Sequence, residues 1–343
     1  MTDAHVPSGY LDDILAQPQY LRGLGPRDVI AAAAPVWGRI KEYSRIILTG
    51  MGASHAALRP LWLSLVAEGR PAWLLDASEL LAFCLPVIDA RTLVVAASQS
   101  GRSAELVELA EVVAERGGTL LAITNDARSP LALRAAAIID IKAGKERTVS
   151  TKTYLNTLAV GLVLGAPASA PALDHALLQA ADGIESYLED AAAHIGVLRE
   201  KFGLPERLYF LARGNSLAAA ECGALITKEA AKWPVEAMSA AQFRHGPLEL
   251  ADPRLSAIIL GGEETATRDL NRRLHQDLEG YGARSYWLGT SGDLGPLSLP
   301  ATPPRTWPLA EIVPLQLLSI AIAEASGVEP GVFRHLQKVT TVL

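Results

Sequence analysis

The chain has 343 residues, of which 50% are hydrophobic, and its 31 basic and 37 acidic side chains give a formal net charge of −6. This length and apolar content predict two globular domains of ordinary size. The mixed and slightly acidic charge argues against nucleic acid or an anionic membrane as the main partner, so we expect a small-molecule ligand.

The cysteines, the histidines and the N-terminus favour a cytoplasmic protein that binds no metal. Cys84 and Cys222 lie far apart among apolar neighbours, which is typical of buried thiols rather than of a disulfide framework. The seven histidines are scattered without metal-ligand spacing. Residues 1–7 lack the pattern of a signal peptide, and we expect that no apolar stretch approaches the roughly 20 residues of a membrane helix.

Short apolar runs alternate along the chain with segments of helical period, which predicts parallel sheets covered on both faces. The predicted strands of the first half are 45–49, 72–75, 92–97, 120–124 and 138–141. An Ala-rich helical stretch at about 155–200 precedes three more, 207–212, 256–260 and 284–288. We expect a helical segment over 1–40 and two tandem domains over 41–185 and 186–343.

The two halves align at an offset of 162 (207 − 45), which predicts a duplication. Gly52 then meets Gly214, and Ser54 meets Ser216. The serine-rich turn at 98–100 is replaced by Gly-Glu-Glu at 262–264, and two acidic residues repel an anion. We therefore expect anion binding in the first half alone. Beyond it, 291–308 is predicted as a loop and 309–326 as a late helix ended by Gly327.

The turn at 98–103, Ser-Gln-Ser-Gly-Arg-Ser, joins the apolar run 92–97 to the helical pattern 104–110. Free N–H groups and the positive dipole end at a helix start attract an anion, and short hydroxyl side chains add donors. The alternative is that Ser98 or Ser100 merely caps the helix. Three serines, an amide and a glycine in six residues favour phosphate binding.

Seven segments carry a resemblance to a known family: 13–18 (Asp-Ile-Leu-Ala-Gln-Pro), 50–54 (Gly-Met-Gly-Ala-Ser), 98–101, 148–153 (Thr-Val-Ser-Thr-Lys-Thr), 228–229 (Lys-Glu), 245–248 (His-Gly-Pro-Leu) and 336–340. With these, the chain resembles the sugar isomerase (SIS, phosphosugar-binding) family. It is most similar to the isomerase half of glutamine-dependent glucosamine-6-phosphate synthase and to its free-standing relatives. The resemblance implies an α/β fold of two tandem doubly wound, flavodoxin-like sugar isomerase domains.

The resemblance also implies a set of residues that bind a sugar phosphate. The turn would hold the phosphate, and short donors near other strand ends would reach the sugar hydroxyls. The implied ligands are Ser98, Gln99, Ser100 and Ser103 for the phosphate, and Ser54, Thr148 and Ser150 for the sugar. Two positions depart from the family pattern: Ala53 replaces a threonine, and Arg102 replaces a glutamate.

Three residues are implied for catalysis, and no cofactor is expected. Glu229 would move a proton between C2 and C1, since a carboxylate spans both carbons; without the resemblance, a solvated glutamate beside Lys228 is the simpler interpretation. His245 would open the sugar ring, and in the synthase this histidine reaches the neighbouring subunit, which implies a homodimer. Lys338, in the C-terminal tail, would stabilise the enediolate or enolamine; otherwise it is a surface lysine.

The preferred hypothesis is an enzyme of amino-sugar metabolism that converts glucosamine 6-phosphate to fructose 6-phosphate and ammonia. Without a glutaminase region or an N-terminal cysteine, we expect the chain not to be a complete synthase. The runner-up is a fructosamine-6-phosphate deglycase, and a non-catalytic sugar-phosphate sensor is a third possibility. A dehydrogenase is a weaker hypothesis. Gly50, Gly52 and Asp76 fit a dinucleotide site, but the third glycine of that motif is missing, and His55 occupies the position where close helix–strand packing requires no side chain.

Overall fold

The computed structural model describes residues 8–166, 170–262, 265–290, 295–299 and 302–335. Within them, two sheets form, and all the strand pairings in both are parallel. The predicted α/β class with parallel sheets is therefore confirmed. All eight predicted strands are present, with bounds that differ by one residue or less.

The first sheet consists of five strands: β1 (Arg45–Gly50), β2 (Ala72–Asp76), β3 (Thr92–Ser98), β4 (Thr119–Thr124) and β5 (Ala137–Asp140). Their order is β2-β1-β3-β4-β5. Strand β3 is buried along its whole length, which explains its continuous apolar sequence. The chain runs from β1 outward to β2 and then back past β1 to β3. The carboxyl ends of β1 and β3 thus flank a topological switch point, where such sheets bind ligands.

The second sheet has the strands β6 (Arg207–Ala212), β7 (Glu236–Ser239), β8 (Leu255–Leu260) and β9 (Arg284–Leu288), in the order β7-β6-β8-β9. Strand β7 was missing from the expectations because its sequence, Glu-Ala-Met-Ser, contains no β-branched or aromatic residue. It forms at the sheet edge by pairing with 209–212 of β6.

The helices, in chain order, fall before, between and after these strands. They are α1 (Ser8–Leu15), α2 (Gln17–Arg22), α3 (Pro26–Trp37), α4 (Gly52–Ala57), α5 (Arg59–Ala67), α6 (Ala77–Phe83), α7 (Ala104–Glu115), α8 (Pro130–Leu133), α9 (Lys152–Leu164), α10 (Ala170–Glu189), α11 (Ala191–Phe202), α12 (Leu217–Ala231), α13 (Ala240–Phe243), α14 (Thr265–Gly280) and α15 (Trp307–Ala325). Helices α9 to α11 correspond to the predicted Ala-rich stretch.

The chain divides into two compact units. One comprises the described residues of 19–146, 152–177 and 335–343 and contains the first sheet; the other comprises those of 1–18, 147–151 and 178–334 and contains the second sheet. Each has its own apolar core, around Val94 and Leu109 in the first and around Ile259 and Leu274 in the second. Neither unit is continuous in sequence. The predicted domain bounds stay a prediction.

Helix α15 is buried within the second-sheet unit. The helical segment Pro304–Ala325, with 22 residues, is long and apolar enough to cross a membrane, so the expectation that no such stretch exists was wrong. The whole apolar window is buried, as it is in a core helix. Two of its polar side chains are hydrogen-bonded within the unit: Gln316 exchanges two hydrogen bonds with Gln17, at 2.8 and 2.9 Å, and Ser319 lies 2.9 Å from the Tyr10 hydroxyl. These bonds tie residues 8–18 to this unit.

Two smaller expectations differ from the structure. The segment 291–308 is not a loop throughout, since α15 begins at Trp307 and short 3-10 turns occur at Gly295–Leu297 and Pro304–Thr306. Gly327 ends α15 as predicted, with φ +69°. Cys222 is buried, whereas Cys84 is half-buried; neither forms a disulfide.

The contact between α12 and α15 predicts different effects for two otherwise identical substitutions. A Cβ at Gly223 would lie 2.5 Å from Leu315 Cδ1, whereas a Cβ at Gly196 in α11 has no atom within 4 Å. We expect Gly223→Ala to lower the free energy of unfolding by about 1–3 kcal/mol through overpacking. Gly196→Ala should raise it by up to about 1 kcal/mol through helix propensity. Urea denaturation followed by circular dichroism measures both, and equal midpoints for the two variants would contradict the packing argument.

Candidate functional site

The turn from Ser98 to Ser103 lies between β3 and α7, at the switch point of the first sheet. Gly101 takes φ +61°, and a Cβ there would lie 2.0 Å from Ser129 Oγ, so only glycine fits. The Gly101 N–H donates to Ser98 Oγ at 3.1 Å, and the Arg102 N–H donates to Ser100 Oγ at 3.1 Å. These bonds hold the two serine hydroxyls in the turn.

The start of α7 leaves donors available to a ligand. Ser103 is the N-cap residue, but its side chain makes no capping hydrogen bond; its hydroxyl lies 3.3 Å from Ser98 Oγ. Among the described residues, the N–H groups of Ala104 and Glu105 have no acceptor. The alternative that Ser98 or Ser100 caps the helix was therefore wrong. The helix start keeps the free N–H groups that an anion requires.

The charges around this turn are mixed. Arg102 forms an exposed ion pair with Asp126 at 2.8 Å. A hydrogen bond from the Arg128 N–H lowers the pKa of the Asp126 carboxyl, and the Arg102 side chain lowers it further. Glu105 is half-buried, and its Oε2 accepts no hydrogen bond from a described residue. An anion at this turn would therefore meet backbone N–H and hydroxyl donors, because the Arg102 guanidinium is already paired with Asp126.

Ser54 and Gln99 also lie at this edge of the first sheet. Ser54 is half-buried on α4, which begins two residues after β1, and β1 pairs directly with β3. The Gln99 carbonyl accepts the Asn125 N–H at 3.1 Å, while its half-buried side chain bonds to no described residue. The structure therefore brings five predicted ligands to one sheet edge: Ser54, Ser98, Gln99, Ser100 and Ser103.

Asp76, which a dinucleotide site would need for a ribose, serves instead as the N-cap of α6. Its Oδ1 accepts the N–H groups of Ser78 and Glu79 at 2.8 and 3.4 Å. The carboxylate is therefore engaged in the fold.

The remaining predicted residues belong to the second-sheet unit or lie outside the described residues. Thr148 and Ser150 are half-buried in a bend, and a Cβ at Gly331 would lie 3.0 Å from Thr148 Oγ1. Lys338 lies outside the described residues, as do Glu263 and Glu264, so the contrast between the turns of the two halves stays a prediction.

Glu229 is half-buried near the carboxyl end of α12, whereas its neighbour Lys228 is exposed. Helix α12 packs against α15, with Gly223 at the contact. Glu229 is thus not the fully solvated surface glutamate of the simpler interpretation.

The imidazole of His245 is exposed, and it bonds to no described residue. His245 follows α13, and its N–H donates to the Gln242 carbonyl at 2.9 Å. Gly246, with φ +133°, then turns the chain into the 3-10 helix Pro247–Leu250.

Sequence reasoning missed a cationic residue beside Glu229, Lys232, and its proximity to the charge of Arg334. Lys232 ends α12 in the left-handed conformation, with φ +57°, and its Nζ donates to the Glu229 carbonyl. Burial lowers the pKa of the Lys232 ammonium, and the Arg334 guanidinium lowers it further, while Glu229 opposes the shift. The sequence signal that could have indicated Lys232 is its position about one helical turn after the Lys-Glu motif at 228–229.

Comparison with known proteins supports the resemblance. Residues 39–166 match the SIS domain family. The chain is 29% identical over 352 residues to a glutamine–fructose-6-phosphate aminotransferase (isomerizing) of Pyrococcus horikoshii, covering 97% of this chain and 57% of that protein. It thus spans little more than half of this relative's length.

Solved structures share the fold. A glucosamine-6-phosphate deaminase of Thermotoga maritima has a TM-score of 0.77 at 19% identity, covering 96% of this chain and 98% of that one. A tagatose-6-phosphate ketose/aldose isomerase of Escherichia coli has a TM-score of 0.82 at 18% identity, covering 98% and 100%.

The geometry of the turn predicts that Gly101→Ala abolishes phosphate binding. A Cβ at Gly101 displaces Ser129 and forbids the turn, whereas one at Gly117, with φ +73°, has no neighbour closer than 3.7 Å. Both variants carry a left-handed alanine, which costs about 1 kcal/mol, so only the local clash differs. Inorganic phosphate should raise the melting temperature of wild type and Gly117→Ala but not of Gly101→Ala, measured by calorimetry. An unchanged phosphate response in Gly101→Ala would exclude this turn as the anion site.

The family match covers the first sheet, and a second tandem domain of the same family stays a prediction. The predicted resemblance is confirmed: residues 39–166 match the SIS domain family, and the chain is similar to a protein named a glutamine–fructose-6-phosphate aminotransferase (isomerizing).

Proposed function

We propose that the chain is an enzyme that moves a proton between C2 and C1 of an amino-sugar phosphate. The observation that carries the proposal is the turn at 98–103, where free helix N–H groups and serine hydroxyls converge in the SIS domain. The substrate we favour is glucosamine 6-phosphate. A relative that is named for aminotransfer to fructose 6-phosphate and a fold neighbour that is named a glucosamine-6-phosphate deaminase support this choice.

In the proposed reaction, each step is assigned to a residue of this chain. The turn binds the phosphate, and His245 opens the ring by moving a proton between the ring oxygen and the anomeric hydroxyl. Glu229 takes the proton from C2 and returns it at C1, while Lys338 stabilises the enolamine. Water then adds to the C2 imine, and fructose 6-phosphate and ammonia leave. The atoms balance without an oxidant or a reductant, so the proposal includes no cofactor.

Substitution of Glu229 tests the proton transfer directly. In D₂O, wild type should incorporate deuterium at C1 of the product, and Glu229→Gln should lose about 10²–10⁴-fold in rate because an amide cannot accept the proton. Glu200→Gln, which removes an exposed carboxylate from α11, is the control and should retain full activity. Nuclear magnetic resonance follows both label and rate. Turnover by Glu229→Gln at the wild-type rate would remove the proposed base.

The proposed homodimer, in which His245 acts in the partner's site, is testable with hybrids. Glu229→Gln and His245→Ala chains, each carrying a different affinity tag, are co-expressed, and dimers with both tags are purified. If His245 acts across the interface, one of two sites is intact, and the hybrid should regain about half of the wild-type activity. If His245 acts within its own chain, both sites lack one group and the hybrid stays as inactive as its parents.

A fructosamine-6-phosphate deglycase is the second candidate, since proton transfer between the same two carbons then releases a larger amine; the Lys232 ammonium, which donates to the Glu229 carbonyl, favours it. A sensor is the non-catalytic alternative, distinguished by thermal stabilisation with fructose 6-phosphate but no turnover of any amino-sugar phosphate. We further propose that the chain acts in the cytoplasm, in amino-sugar metabolism.

A further inference from the structure

The turn at 98–103 is held from outside by one later segment, residues 125–131, which follows β4. Its contacts with the turn are the N–H of Asn125 donating to the Gln99 carbonyl at 3.1 Å, the Asp126 carboxylate paired with Arg102 at 2.8 Å, Ser129 packed against Gly101, and the N–H of Leu131 donating to the Gly101 carbonyl at 3.2 Å. The shape of the turn therefore depends on where this segment lies.

The side chain of Asn125 fixes the start of that segment to another loop. Its Oδ1 accepts the Ala143 N–H at 2.8 Å, and its Nδ2 donates to the Gly144 carbonyl at 2.6 Å. The residue pairing of β4 with β5 ends at Thr124, one position before Asn125. A primary amide carries both a donor and an acceptor, so it can pair with a backbone as another strand would. The Asn125 amide thus continues the connection between the two chain segments past the end of the sheet.

The loop that receives this amide is itself firmly held. Gly144 takes φ +62° and has no room for a Cβ, because the Tyr20 ring lies against it. The Lys152 ammonium lies over the same ring, 4.6 Å from its centre, and donates to the Lys145 carbonyl at 2.7 Å. Since Gly144 and Lys145 are both fixed, Asn125 connects the segment 125–131 to a rigid support.

A half-buried asparagine that bonds to backbone is commonly only part of the fold, and the second-sheet unit contains one for comparison. Asn271, which is buried on α14, accepts from the Arg213 Nε–H at 3.0 Å and donates to the Leu260 carbonyl at 2.9 Å. Its amide is engaged like that of Asn125, but it belongs to the unit that does not contain the turn. What distinguishes Asn125 is that its own N–H bonds to the turn, at Gln99.

We propose that Asn125 is a positioning residue whose amide sets the affinity of the turn at 98–103 for phosphate. This inference rests on the proposed function, in which the turn binds the phosphate of the substrate. Both polar atoms of the side chain bond to 143–144, so Asn125 acts through the Gln99 carbonyl and the segment 125–131 rather than by touching the ligand. A binding loop that is fixed beforehand loses less conformational entropy when it binds, which raises its affinity.

The test measures binding of inorganic phosphate by isothermal titration calorimetry. Asn125→Ala removes both hydrogen bonds to 143–144, and we expect the dissociation constant to rise about tenfold. Asn271→Ala is the matched control: it removes an amide with the same kinds of partner from the other unit and should bind phosphate as wild type does. A melting temperature for each variant separates loss of affinity from general loss of stability.

Gly144→Ala disturbs the other side of the same connection and leaves Asn125 intact. The added Cβ meets the Tyr20 ring, so the loop must shift away from the Asn125 amide, and phosphate binding should weaken to a similar degree. Gly117→Ala, which also places an alanine at positive φ but has open space around it, should keep the wild-type dissociation constant. This pair decides the question if Asn125→Ala does not fold.

Kinetics with glucosamine 6-phosphate distinguish positioning of the phosphate from a part in the chemistry. The phosphate is held equally in the ground state and the transition state, so Asn125→Ala should raise KM about tenfold and change kcat less than twofold. A large fall in kcat with an unchanged KM would contradict this role.

A phosphate dissociation constant within twofold of wild type in Asn125→Ala, or in Gly144→Ala where the first variant does not fold, would overturn the proposal. Failure of the proposed function is separable, because phosphate binding is measured without turnover. If wild type binds phosphate and Asn125→Ala weakens that binding, but no amino-sugar phosphate is converted, the proposed enzyme is wrong and the positioning role stands. If wild type binds no phosphate, both are wrong.

Discussion

The candidate phosphate site depends on one backbone conformation, the left-handed turn at Gly101. Strand β3 ends at Ser98, and α7 begins at Ala104, so the chain must reverse within five residues. The left-handed glycine lies against Ser129 with no room for a side chain, which lets the Gly101 and Arg102 N–H groups bond to serine hydroxyls. Those hydroxyls are consequently fixed inside the turn and do not cap the start of α7. The helix start then presents unpaired N–H groups at the switch point of the sheet.

The second-sheet unit supports a different kind of chemistry. Helix α12 packs so closely on α15 that Gly223 has no space for a Cβ, and the helix buries one face from Ala218 to Ala231. This packing leaves Glu229 half-buried at the other face and near the helix end. The left-handed Lys232 then folds its ammonium back over the last turn. A carboxylate and a cation are thereby collected on one short segment, the combination of groups on which the proposed proton transfer depends.

Much of the fold was predictable because buried parallel strands have continuous apolar sequences. The eight strands foreseen are those with such runs, while β7 is an edge strand whose residues carry no propensity for it; it exists because β6 offers a partner. The candidate site was predictable where several hydrogen-bonding residues are close together in the sequence, as at 98–103. It was not predictable at Arg334, which lies 102 positions after Lys232 (334 − 232); the Gly331 N–H, which donates to the Ala230 carbonyl, brings this later segment to the end of α12. The expectation that no apolar stretch is long enough to cross a membrane was wrong at α15, because prolines and single polar residues interrupt its apolar sequence.

The sequence by itself determined the α/β class, the alternation of strands and helices, and the glycine- and serine-rich turn, because these depend on local periodicity and on the short-range geometry of glycine. Only the tertiary structure decided that residues 8–18 join the second-sheet unit, since Gln17 and Tyr10 find their hydrogen-bond partners on α15. It also decided which serine stands at the helix start and, through the bond from Gly331 to Ala230, which later segment lies at the end of α12. Those contacts join residues far apart in the chain, and their free energy comes from burial and pairing that no local pattern encodes.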